Sequence, residues 1–94
     1  MDLFAAPPFN PADSLLQLKR SLRDMRPLVE RGEGFDLQGQ RVIELRSDDS
    51  FITVRIARKA LRSPEWDTQV VKNGADLRKC VDEVKKRLVK WTEE

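Results

Sequence analysis

"QRVIELRSDDSFITVRIAR", residues 40–58, is the stretch whose reading decides the fold. In its first half Ile43 and Leu45 alternate with Val42, Glu44 and Arg46. In its second half Ile52, Val54 and Ile56 fall on one side, and Phe51, Thr53, Arg55 and Ala57 on the other. A period of two is the strand period. Two such runs joined by the polar residues 47–50 predict an antiparallel hairpin with one apolar face. Such a face must be covered, so the rest of the chain has to supply the cover.

Downstream, residues 59–65 read as a loop broken by Pro64, and "WDTQVVK" (66–72) as a third strand. Asn73 is placed to cap a last helix. Its Leu77, Cys80, Val81, Val84, Leu88 and Trp91 fall in one arc at helical spacing. Upstream, Asn10 caps a first helix, Pro11 suits its first position, and Asp13 suits the positive end of its dipole. Leu15, Leu18, Leu22, Met25 and Val29 recur at steps of three and four. Pro27 ends or kinks this helix near Arg26, and residues 27–31 add a last turn before Gly32 and Gly34. Residues 35–40 form a turn-rich entry to the first strand. Residues 1–9, with two prolines and no periodicity, read as a flexible arm. The predicted order is α-β-β-β-α. It implies one α+β domain over residues 10–94, with two helices packed on one face of a three-stranded antiparallel sheet.

At 94 residues a single domain with one modest core is expected. With 39% hydrophobic and 36% charged residues, the composition is that of a soluble globular chain. No apolar run approaches the ~20 residues of a membrane span, so no membrane partner is expected. The N-terminus lacks the basic region of a signal peptide. One cysteine permits no internal disulfide, and a cytoplasmic location is the simplest expectation.

Histidine and tyrosine are both missing. That removes the commonest general base, the commonest metal ligand and the partner of a catalytic cysteine. With no Cys-x-x-Cys pattern and no phosphate-binding glycine loop, neither metal nor cofactor is expected, and the chain reads as non-enzymatic. The carboxylate pairs are ordinary. Asp48 and Asp49 sit in a hairpin turn. Asp82 and Glu83 each have a basic residue four positions on, Lys86 and Arg87. Cys80, inside the apolar arc, reads as a small core residue.

Net charge is only +2, so binding to a polyanion would have to come from local clusters. The last helix mixes its lysines and arginines with Asp82 and Glu83, as a solvated face does. The first helix carries a cleaner row, Lys19, Arg20, Arg23 and Arg26, with Asp24 its only acid. On the sheet, Arg46 and Arg55 face away from the apolar side, beside Val42, Thr53 and Phe51. An aromatic among arginines on an open sheet suits base stacking and phosphate contact. Arg58, Lys59 and Arg62 follow in the next loop.

The order α-β-β-β-α over residues 10–91 resembles that of the double-stranded RNA-binding domain, in which the first helix and the start of the second contact RNA. Where that family has a lysine-rich motif, this chain has "KNGADLRK", and the first hairpin loop is the acidic "SDDS". "MDLF" at the N-terminus resembles the end of the peptide motif that docks bacterial proteins on the DNA sliding clamp, without its opening glutamine.

The expected function is that of a small binding module contacting DNA or RNA. Its candidate contacts are Lys19, Arg20, Arg23, Arg26, Arg46, Arg55, Arg58, Lys59 and Arg62, with Phe51 as a stacking platform. One alternative is a protein-interaction or self-associating domain, using Leu3, Phe4, Phe9, Phe51, Val42 and Val89. Another is an accessory subunit of a larger complex.

Overall fold

The computed structural model describes residues 9–93. Helix α1 spans Pro11–Arg23. The Asn10 side chain accepts the Asp13 N–H at 3.2 Å, which satisfies one of the helix's free donors. Leu18 and Leu22 are fully buried. The helix ends at Arg23, capped by Asp24, ahead of a cis Arg26–Pro27 bond.

The expected last turn of that helix is a strand. Val29–Arg31 forms β1, and it pairs with β2 (Gly34–Leu37). Then come β3 (Gln40–Ser47), β4 (Ile52–Ala57) and β5 (Trp66–Val71), and the chain closes with α2 (Gly74–Glu93). All neighbours are antiparallel, in the order β1-β2-β3-β4-β5. The three-stranded sheet expected from the sequence is therefore corrected to five strands. The two extra strands have three and four residues, too short to show an alternation of their own. Their turns define them. Gln38 and Gly39 have φ of 53° and 81°, the pair of positive values that a two-residue turn between Leu37 and Gln40 requires.

The β3–β4–β5 register puts Ile43 opposite Ile56, Leu45 opposite Val54, and Ile52 between Ser47 and Val71. All except Ser47 are buried and join the core with Leu18, Leu22, Leu77, Cys80, Val84 and Trp91. Each fully buried side chain of this size contributes about 1.5–3 kcal/mol. Helix α2 packs along β5, and α1 lies against β3 and α2.

Val42 departs from the predicted alternation. The β2–β3 register shifts between Phe35 and Asp36, so Phe35 faces Ile43, Asp36 faces Arg41, and Val42 has no opposite number. This bulge lets Val42 and Ile43 both be fully buried, so Val42 does not belong to the open face. Beside the bulge, a Cβ on Gly34 would meet the Ile43 carbonyl oxygen and the Arg41 guanidinium, so the two strands approach closely only because residue 34 is glycine.

The start of α2 is capped from both directions. The Asn73 side chain accepts the Asp76 N–H at 2.8 Å, and the Asp76 carboxylate accepts the Lys72 N–H at 3.1 Å. Arg87 does more than pair with Glu83. It also binds Asp67 at 2.8 Å and the carbonyls of Ile56 and Ala57, tying α2 to the ends of β4 and β5. Cys80 is fully buried, and burial, with Glu83 nearby, pushes its thiol up to about 12.

Candidate nucleic-acid interface

The face of the sheet turned away from the helices is built from cross-strand rows. Arg31, Gly34, Glu44, Arg55 and Thr68 stand opposite one another across β1 to β5. The neighbouring row on β3–β5 is Arg46, Thr53 and Val70. On the other side, Ala57 faces Trp66. The Arg55 guanidinium lies over the Trp66 ring, 4.9 Å from its centroid, and donates to Glu44 at 3.2 Å.

At one border of this face lies a groove of about 660 Å³. Leu15 and Lys19 of α1 line it on one side, and Arg46, Thr53 and Arg55 of the sheet on the other, with Glu33 and Glu44. Two basic clusters that are distant in sequence therefore meet here. Among the described residues Lys19 and Arg46 make no salt bridge, so their charges are available to a ligand.

The other sequence-predicted contacts lie elsewhere. Arg20 and Arg26 are exposed but do not line the groove. Arg23 pairs with Glu30 of β1 at 2.7 Å, which breaks the single-sign row. Lys59 and Arg62 are exposed in the β4–β5 loop, outside the groove. Arg58 binds Asp67 at 2.9 Å and Glu65 at 3.0 Å, and those carboxylates raise its pKa. It lines a second cavity of about 740 Å³ with Arg87, Glu83, Lys86 and Lys90. Asp67, hydrogen-bonded by Arg58 and Arg87, has a pKa below its ordinary value.

Phe51 sits in the β3–β4 turn, half-buried. Its N–H and that of Ser50 donate to the Asp48 carboxylate at 3.0 and 2.8 Å, and these bonds lower the pKa of Asp48. The sheet ladder holds two aromatics, Phe35 buried in the core and Trp66 beside Arg55. The alternation of Trp66 with Thr68 and Val70, against Asp67, Gln69 and Val71, was the sequence signal that could have found it. Arg31, Arg41 and Asp36 also escaped sequence reading. Asp36, only 7% exposed, lies between the two arginines, and Arg41 also donates to the Arg31 carbonyl at 2.9 Å.

The surfaces named for protein interaction separate too. Val42 is in the core, and Phe9 is half-buried against it. Val89 is 55% exposed. Leu3 and Phe4, with the rest of residues 1–8 of the expected arm and the sliding-clamp resemblance, lie outside the described residues.

Among the described residues no helix is long and apolar enough to cross a membrane, and no group of three or more His, Cys, Asp or Glu side chains could hold a metal ion. Compared with known proteins, the chain matches no family model, no curated protein and no solved structure.

Proposed function

We propose that this protein is a non-enzymatic nucleic-acid-binding module whose contact surface is the groove between α1 and the open sheet face. The observation that carries this reading is the meeting of Lys19, Arg46 and Arg55 along one groove. Two of the three make no salt bridge among the described residues, and the third is held by a single exposed carboxylate. Cations clustered in a concave surface raise the local concentration of a polyanion and fit its phosphates. The Cys80 thiol is fully buried and its pKa is pushed up to about 12, which suits a core residue.

The test is fluorescence anisotropy of labelled DNA and RNA, single- and double-stranded, at two salt concentrations. Affinity should fall as salt rises, with a log–log slope near −1 for each phosphate contacted, so about −2 to −3 for three cations. No binding at low salt, or binding insensitive to salt, overturns the proposal.

A further inference from the structure

We infer that the ligand of this groove is single-stranded nucleic acid, and that Trp66 is its stacking platform, covered in the free protein by Arg55. This rests on the nucleic-acid reading above and names its substrate class.

Trp66 opens β5 opposite Ala57, a small, fully buried residue. The ring is half-buried and packs in part against the core, and the Arg55 guanidinium lies over it, 4.9 Å from its centroid. Arg55 is held there by two weak interactions. One is the cation–π contact itself, at a site where the Arg55 side chain is 46% exposed. The other is the ion pair with Glu44, 43% exposed, at 3.2 Å. A nucleobase offers a larger π surface than a guanidinium and no charge to keep hydrated, so it replaces Arg55 on the ring. The released Arg55 then reaches a phosphate, joining Arg46 and Lys19. From Thr53, beside Arg46, to Ala57, beside Trp66, β4 advances by roughly 13 Å. That length suits a short run of extended strand rather than one isolated phosphate.

A duplex uses this surface poorly. Its bases are stacked inward, so the indole would have no partner. Duplex contact also favours a continuous basic row on a protruding element. The α1 row is broken, with Arg23 bound to Glu30 and Lys19 half-buried in the groove wall.

The experiment titrates the full chain with an unlabelled oligothymidylate while following tryptophan fluorescence, in parallel with anisotropy of a labelled oligomer and of a hairpin duplex. Trp91 is 5% exposed, so the responding tryptophan is Trp66. The single strand should quench the emission and bind more tightly than the hairpin. Trp66→Ala should weaken its binding roughly tenfold, the loss of one stacked base, while Trp66→Phe keeps most of the affinity and loses the quench. Arg55→Gln should alter the emission of the free protein, because the guanidinium leaves the ring. Each variant's helical circular dichroism confirms that it is folded, and the wild-type titration needs no variant. Binding of the oligomer with unchanged tryptophan emission, or tighter binding of the hairpin, overturns this inference and leaves the nucleic-acid reading standing. Absence of binding to every nucleic acid overturns both.

Discussion

Ile56 and Arg55 are adjacent in β4, yet one is fully buried under the helices and the other stands nearly half-exposed against Trp66. The two faces of the sheet follow this contrast throughout. The covered face is hydrocarbon at its centre, where Ile43, Leu45, Ile52, Val54, Ile56 and Val71 join the core with residues of both helices. The open face holds arginines, two carboxylates and one indole; Arg55 is held by exposed contacts of small individual strength, while Asp36 is buried between Arg31 and Arg41. Stability should reside in the first face and recognition in the second, and substitutions can test how cleanly the two are divided.

Ile56→Ala should have the largest effect. It opens a cavity at a fully buried site and should cost about 2–5 kcal/mol, read from urea denaturation. A cost under about 1 kcal/mol would contradict the packed face described above. Gly34→Ala probes the seam between the faces. The added Cβ meets the Ile43 carbonyl oxygen, which cannot move without its strand, so a loss of about 1–3 kcal/mol is expected by the same measurement.

Asp67 lies at the rim of the covered face, opposite Ile56, between Arg58 and Arg87. Its pKa is lowered in the folded state, so its stabilisation is present above the unfolded value and is lost as pH falls through the folded one. Urea midpoints of wild type and Asp67→Asn should differ at neutral pH and converge below about pH 4. A gap that stays constant into acid would show that Asp67 is not held by its arginines. Arg46→Ala should change stability least, within about 0.5 kcal/mol, because the side chain is exposed and has no salt-bridge partner among the described residues. Its effect should appear in binding, as a salt slope smaller by about one.

The legibility of the chain followed the length of its elements. β3 and β4 have eight and six residues, enough for alternation to show, and α2 combines a cap with a long apolar arc. β1 and β2 had only "RGEG" and "LQGQ" to announce them. The helical spacing of Val29 with Met25 and Leu22 pointed to a longer α1, but Val29 is 61% exposed on β1. A helix-period match carried across Pro27 outweighed the two glycine turns, which were the better signal. The same limit applies to the site. Lys19, Arg46 and Arg55 could each be named as candidates, but Arg58 and Arg23 could not be set aside, because their partners sit on Asp67 and Glu30 across tertiary contacts.

The sequence by itself determined the two helix starts at Asn10 and Asn73, the facing of β4, the core role of Cys80 and the lack of histidine chemistry. These depend on a residue and its neighbours within a turn or two, where propensity, capping and periodicity act. Only the tertiary structure decided the number of strands, the burial of Val42, the placement of Trp66 under Arg55, and which cations share a groove. Those depend on which strands lie side by side and in what register. One bulge in that register turns a side chain to the opposite face, and an ion pair forms wherever the fold brings two charges together, however far apart they are in the chain.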